Sequence, residues 1–134
     1  MEYRINRKTG DKISVIGLGT SYISEAWEKN AVEALVYAHE HGINYADLAT
    51  AGAKTFSYYG KAFGSVGKEM YYQVHFGADY KTGEYGWTTD LDKVKRSVYR
   101  QLKALKTDYW GFYTAGYEWN MRILQSLPAL SDGA

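Results

Sequence analysis

Two kinds of sequence pattern alternate along this chain, and their alternation restricts the possible folds more than any other feature. Short apolar or β-branched runs typical of buried strands occupy residues 15–19, 43–47, 70–76 and 109–114. Apolar residues at helical spacing follow at 30–41, 54–63 and 90–105. Strands and helices that alternate with short connections predict parallel β-α-β units with right-handed crossovers. We therefore expect an α/β domain of about four units.

Local signals place the ends of several elements. Residues 3–5 and 12–14 flank a turn at Thr9-Gly10-Asp11, which predicts a β-hairpin before the first unit. Gly42 stands where a left-handed helix C-cap belongs, and Thr89 or Asp90 is the expected N-cap of the helix at 90–105. That helix carries the clearest apolar stripe, Leu91, Val94, Val98, Leu102 and Leu105.

Two other segments are less regular. The glycine-rich stretch 77–89 is expected to be a long functional loop. A final helix near residues 119–130 is interrupted by Pro128, because proline breaks a helix interior.

Composition excludes several classes of function. With 134 residues, 46% of them hydrophobic, the chain is expected to form one domain spanning 1–134. A net charge of +1 gives no electrostatic attraction for nucleic acid or an anionic membrane, so neither partner is expected. The absence of cysteine excludes disulfides, thiolate-bound metals and an iron–sulfur cluster, and no metal site is predicted. Without a signal-like or membrane-spanning run, a cytoplasmic location is expected.

The number of units alone favours an open, flavodoxin-like sheet, because a closed eight-stranded β/α barrel typically needs ~250 residues. Four segments nevertheless resemble motifs of one family in register. They are 8–20 (KTGDKISVIGLGT, after Tyr3-Arg4-Ile5), 42–49 (GINYADLA), 60–63 (GKAF) and 102–109 (LKALKTDY). These segments resemble the N-terminal half of the aldo-keto reductases, over residues of about 2–109. The resemblance implies a partial TIM (β/α)8 barrel that begins with a β-hairpin, whereas residues 110–134 depart from the family pattern.

The same resemblance implies an NADP(H)-dependent oxidoreductase that reduces small carbonyl compounds. In that family a Tyr donates the proton, a Lys and an Asp tune its acidity, and a His orients the carbonyl. Asp47 matches the family Asp, but Gly52 occupies the Tyr position and His75 the Lys position. The expected His near residue 116 is missing, since no His follows His75. Asp47 and His75 are thus the candidate catalytic residues, with a capping carboxylate and a structural histidine as the alternatives.

For the cofactor, the resemblance points to Gly19, Thr20 and Asp47 at the nicotinamide end. Most family contacts to NADP(H) come from loops after strands seven and eight, which this chain lacks. The closest branch carries a ferredoxin-like C-terminal extension, which is also absent. We therefore expect the fragment to be inactive alone.

Two alternatives stay open. The first is a non-catalytic half-barrel, natural or designed, that binds a small ligand or self-associates as a homodimer through its open sheet edges. In the second, Asp47 and His75 form an acid–base pair that works without a cofactor, which requires the two side chains to lie within hydrogen-bond reach.

Overall fold

The fold is that of a computed structural model, which describes residues 1–66, 69–75 and 77–108 and the backbone of 112–114. The elements in chain order are β1 (Tyr3–Ile5), β2 (Lys12–Ser14), α1 (Ser21–Glu25), α2 (Glu28–Glu40), β3 (Tyr45–Asp47), α3 (Lys54–Phe63), β4 (Tyr71–His75), β5 (Ala78–Asp79), β6 (Gly86–Trp87), α4 (Leu91–Leu105) and β7 (Phe112–Thr114). The predicted last helix, with Pro128, lies outside the described residues.

The N-terminal hairpin forms as predicted. β1 and β2 pair antiparallel, with Tyr3 opposite Ser14. The Asn44 side chain joins β2 to the start of β3, since its Oδ1 accepts from the Ser14 amide at 2.8 Å and its Nδ2 donates to the Lys12 carbonyl at 2.8 Å. The Tyr3 hydroxyl also donates to the Gly42 carbonyl at 2.9 Å. The hairpin therefore lies at the end of the sheet where β3 begins.

The main sheet is parallel, and its strands follow one another in chain order. β3 pairs with β4, and β4 pairs with β7. An isolated parallel bridge between Leu18 and Ala46 adds the preceding segment beside β3. A flavodoxin-like sheet would place its first strand inside the sheet, whereas a β/α barrel adds each strand beside the one before it. The order thus agrees with a partial barrel, and the described strands do not close into a ring.

The prediction of a buried strand at residues 15–19 was wrong for most of this segment. It was expected to be buried on both faces, but only Leu18 forms a sheet bridge, and Val15 and Ile16 are 50% and 59% exposed. The Ser14 hydroxyl donates to the Ile16 carbonyl at 2.7 Å. This local hydrogen bond bends the chain at 15–16, because it offers the backbone an alternative to strand pairing.

The core lies between the sheet and the helices. Ala46, Tyr72 and Val74 alternate along β3 and β4 on the buried face. The residues that complete the main cluster include Leu35, Phe56, Tyr59, Phe63 and Leu105. The α4 stripe is buried as predicted except for Leu91, which is 39% exposed. In α2, Ala31 and Leu35 are buried, whereas Ala34 is exposed.

Two glycines have a clear structural reason. Gly42 follows α2 with φ of +92°, the left-handed conformation expected there. Gly60 lies where α3 crosses α4, and a Cβ atom at this position would collide with the carbonyl oxygen of Ala104. These helices approach closely only because Gly60 has no side chain.

The predicted loop at 77–89 contains a small antiparallel hairpin, β5–β6, in which Ala78 lies opposite Trp87. The Ser97 hydroxyl of α4 donates to the Ala78 carbonyl at 2.6 Å, and Arg100 lies 3.6 Å from Asp79. The hairpin is therefore held against α4. None of the described helices is both long and apolar enough to cross a membrane.

Candidate functional site

Asp47 and His75 end two neighbouring parallel strands at the same edge of the sheet. Asp47 lies opposite Gln73 in the strand register, so His75 is two residues further along β4. Because side chains alternate along a strand, Asp47, Gln73 and His75 share the face opposite to the buried Tyr72 and Val74. In a β/α barrel this face is the barrel interior, and the carboxyl ends of the strands carry the active site.

The two candidate catalytic side chains are hydrogen-bonded. His75 Nε2 lies 2.7 Å from Asp47 Oδ1, and the side chains are 33% and 42% exposed. An ionised carboxylate only accepts hydrogen bonds, so Nε2 must carry the proton. In the neutral imidazole Nδ1 then bears the lone pair, and it has no hydrogen-bond partner among the described residues. The two side chains therefore lie within the hydrogen-bond reach that an acid–base pair requires.

A second polar pair lies next to the first on the same face. The Tyr45 hydroxyl donates to Gln73 Oε1 at 2.7 Å. Burial, and secondly the negative charge of Asp47, raise the pKa of Tyr45, which keeps the phenol protonated as a donor. The Tyr45 ring occupies the space where Gly17 would have a side chain. The sequence analysis did not identify Tyr45 and Gln73. They lie two residues before Asp47 and His75, which places them on the same face of the sheet.

The two other predicted cofactor residues are used by the fold itself. Thr20 is 3% exposed, and its hydroxyl donates to the Ala49 carbonyl at 2.8 Å. Gly19 is exposed, but its carbonyl accepts a hydrogen bond of 2.9 Å from the Tyr59 hydroxyl. Burial first, then the neighbouring Tyr72 and Asp47, raise the pKa of Tyr59 far above the normal range. These bonds join the segment after Leu18 to the β3–α3 loop and to α3.

Gly52, at the position of the family Tyr, lies in a loop paired with the β5–β6 hairpin. Gly52 forms an isolated bridge with Glu84, and the Tyr85 amide donates to the Ala51 carbonyl at 2.8 Å. Tyr58 and Tyr59 on the following helix are buried at 8% and 0% exposure. They are core residues.

A buried polar cluster fixes the same loop, and no pattern in the sequence predicts this cluster. The Tyr80 hydroxyl donates to the Thr50 carbonyl at 2.8 Å, and the Thr50 hydroxyl donates to Thr55 Oγ1 at 2.8 Å. Burial raises the pKa of Tyr80 to about 12. The cluster holds the loop after β3 against the hairpin after β4, so both loops that border Asp47 and His75 are fixed.

Trp87 lies at the edge of the site. A Cβ atom on Gly77 would be 2.9 Å from the Trp87 indole nitrogen, so the indole packs against the backbone two residues beyond His75. Its side chain is nevertheless 64% exposed. The indole is therefore an exposed aromatic group that packs on the backbone after β4.

The other histidines are far from this arrangement. His39 and His41 close α2, at the end of the sheet where β3 begins, and each ring nitrogen Nδ1 bonds a backbone carbonyl, of Ile43 and Tyr37 respectively. His41 also stacks on Tyr37, with ring centroids 4.0 Å apart. No group of three or more metal-ligating His, Asp or Glu side chains occurs in the described part of the chain.

The fold is that of the N-terminal part of a β/α barrel, and solved structures of aldo-keto reductases share it. The solved structures that match include an aldo-keto reductase from Bacillus halodurans in its holo form, with 24% identity and a TM-score of 0.70 over 84% of this chain. A protein from Pseudomonas aeruginosa assigned to the aldo-keto reductases has 25% identity and a TM-score of 0.66 over 92% of this chain. A Bombyx mori aldo-keto reductase in complex with NADP has 18% identity and a TM-score of 0.60 over 83%.

These matches confirm the resemblance that the sequence motifs predicted. The chain spans 39%, 50% and 36% of the length of these three proteins, in the same order. No protein-family model and no curated protein matches the sequence. The similarity to these structures therefore establishes the fold of a partial barrel. It does not by itself establish the activity of this chain.

Proposed function

We propose that the chain forms the N-terminal part of an NADP(H)-dependent reductase of small carbonyl compounds. The observation that carries the proposal is the 2.7 Å hydrogen bond between Asp47 and His75 at the carboxyl edge of the parallel sheet. β/α-barrel enzymes place their catalytic groups at this edge. The fold likeness to aldo-keto reductases, one of them in complex with NADP, supports the reaction type.

The described residues fit one end of such a cofactor at most. The Thr20 hydroxyl and the Gly19 carbonyl already have intramolecular partners, and Asp47 shares one oxygen with His75. The exposed backbone at Gly19 and the second Asp47 oxygen are what remains for the nicotinamide end. NADP(H), where bound, supplies the hydride of carbonyl reduction.

The 134 residues alone are proposed to have little or no reductase activity. A proton donor in general acid catalysis typically contributes about 10²- to 10⁴-fold. The family Tyr is replaced by Gly52, whose surroundings are the backbone of the β5–β6 hairpin. Asp47 and His75 would still bind and orient a carbonyl oxygen, because a protonated imidazole donates a hydrogen bond through Nδ1.

The test is a titration of the purified chain with NADPH, in which nicotinamide fluorescence and thermal stability are followed together. We expect saturable binding, and ligand-linked stabilisation raises the melting temperature as NADPH exceeds its Kd. Asp47→Asn should weaken binding, whereas Asp108→Asn, at an exposed position remote from the site, should not. No response up to millimolar NADPH would contradict NADP(H) binding by this chain and leave its fold likeness intact.

A second candidate function is self-association. The Tyr45, Gln73 and His75 side chains lie on the inner face of the sheet and are only half buried. We propose that a second copy of the chain covers this face, because two partial barrels related by a twofold axis can pair their sheet edges isologously. Light scattering should then show a dimer at micromolar concentration. A monodisperse species of 15.2 kDa would contradict this candidate.

A further inference from the structure

We infer that Asp47 and His75 form a general acid–base pair whose working atom is His75 Nδ1, and that this pair exchanges a proton on the carbon next to a ketone carbonyl without any cofactor. The choice of a small ketone as the ligand rests on the proposed function, the reduction of small carbonyl compounds. The acid–base pair itself rests on the geometry of the two side chains.

The first step of the argument is the orientation of the imidazole. Asp47 Oδ1 accepts the Nε2 proton at 2.7 Å, which fixes the ring and its tautomer. The neutral ring therefore presents an unprotonated Nδ1. A carboxylate that holds the far nitrogen of a histidine also stabilises the imidazolium that forms when the near nitrogen takes a proton.

The second step concerns access. His75 is one-third exposed and lies at the end of β4, where the described residues place no hydrogen-bond partner on Nδ1. The exposed part of the His75 side chain is where we expect a ligand to approach. The loops on both sides are fixed by the Thr50, Thr55 and Tyr80 cluster and by the packing of Trp87 on Gly77. A base held in one orientation on fixed elements needs little rearrangement to act.

The third step is the proton balance. The C–H bond beside the carbonyl breaks, its proton bonds to Nδ1, and its electron pair forms the carbon–carbon double bond of an enolate while the carbonyl π pair moves to oxygen. In D₂O the imidazolium exchanges its proton for a deuteron and returns it to the carbon, which restores the ketone. No atom is oxidised or reduced overall, so the step needs no redox partner.

The Tyr45 hydroxyl and the Asp47 carboxylate lie on the same face, and neither acts as the base in this proposal. The Tyr45 hydroxyl is committed to Gln73, and its pKa is raised by burial, so it is a poor source of a base. Asp47 is a positioning residue in this scheme because it acts through the imidazole.

The experiment follows the methylene protons of dihydroxyacetone by proton NMR in D₂O with the purified chain and no nucleotide. General acid–base groups contribute roughly 10²-fold or more, so we expect the exchange rate to fall about 100-fold toward the buffer rate in His75→Gln. Asp47→Asn should lower the rate at least about 10-fold, because the amide can stabilise the wrong tautomer. His41→Gln removes the imidazole of an exposed histidine at the other end of the sheet and should leave the rate unchanged.

A second measurement separates positioning from mere structure, because it reports the tautomer of His75 rather than the exchange rate. Imidazole ¹⁵N spectra of the wild-type chain should show His75 as the Nε2–H tautomer, and Asp47→Asn should populate Nδ1–H. Equal exchange rates in wild type and His75→Gln would overturn the inference, as would a wild-type His75 that carries its proton on Nδ1. Exchange without NADPH binding would contradict the proposed reductase and leave the pair standing, whereas NADPH binding without exchange would contradict the pair alone.

Discussion

Tyr59 and Gly19 lie 40 residues apart in the chain, and the Tyr59 hydroxyl donates a 2.9 Å hydrogen bond to the Gly19 carbonyl oxygen. The tyrosine belongs to α3, whereas Gly19 follows the Leu18 bridge at the edge of the sheet. One buried phenol therefore connects the first barrel segment with the third helix, beside Asp47. The consequences can be measured without knowing the activity.

Tyr59→Phe should lower the free energy of unfolding by about 1 kcal/mol, the typical net value of an intramolecular hydrogen bond. The ring stays buried in the variant, so the loss reports the hydroxyl alone. Urea denaturation checks the value. Tyr22→Phe is the matched control, because Tyr22 is 87% exposed and its hydroxyl should contribute nothing measurable. Equal losses in both variants would contradict the assigned role.

Gly60→Ala should destabilise the protein by about 1–3 kcal/mol, the usual cost of overpacking. Alanine is a better helix former than glycine by about 1 kcal/mol, so propensity alone predicts the opposite sign. The added methyl group must displace the Ala104 carbonyl, and with it α4. Gly19→Ala is the control, since a Cβ there has nothing within 4 Å. The direction in which Gly60→Ala shifts the melting temperature distinguishes packing from propensity, and Gly19→Ala reports the effect of an added methyl group where there is space for it.

Asp90→Ala should destabilise the protein in a pH-dependent way. The Asp90 carboxylate caps α4 by accepting from the amides of Asp92 and Lys93 at 3.0 and 3.1 Å, and these backbone bonds lower its pKa. A carboxyl group with a lowered folded-state pKa contributes stability above its ordinary value of 3.8. That contribution is lost as the pH falls through the folded-state pKa.

The difference in melting temperature between wild type and Asp90→Ala should therefore be largest near neutral pH and shrink below pH 3.8. Asp108→Ala, which removes an exposed carboxylate beyond the helix, is the control. A constant difference across this range would argue against the capping role.

Tyr80→Phe should lower stability by about 1 kcal/mol at neutral pH through loss of the bond to the Thr50 carbonyl. Burial raises the pKa of Tyr80 from 10.0 to about 12, so the unfolded chain loses this proton first as the pH rises. Stability due to the neutral phenol is present below pH 10 and declines toward pH 12. The variant should lose less stability over this interval, which urea titrations at several alkaline pH values can measure.

Local signals predicted most of the helices and caps. Asp90 begins α4 and Gly42 follows α2 because capping depends on neighbouring backbone groups, which the sequence displays directly. The bend at Val15 and Ile16 was missed because the apolar run gives no sign of the competing Ser14 hydrogen bond. The family motifs overrode the pattern-based preference for an open sheet, and the strand order agrees with them.

The sequence suggested candidate site residues, whose role stays a prediction, but it did not predict the contacts between them. Asp47 and His75 were named from the family positions, but their hydrogen bond depends on strand register and rotamers. The Thr50, Thr55 and Tyr80 cluster joins residues up to 30 positions apart through side chains, which no local pattern encodes. Thr20 was predicted to bind a cofactor. In the structure its hydroxyl donates a hydrogen bond to the Ala49 carbonyl.

The order β3-β4-β7 has a consequence for how the chain acquires its structure. Each strand pairs with one that has already left the ribosome, so the sheet can grow in the direction of synthesis. Because each strand of this sheet pairs with the strand that precedes it there, no pairing among them has to wait for a strand from the far end of the sheet. Nascent chains of increasing length should therefore become protease-resistant unit by unit, starting from the hairpin side.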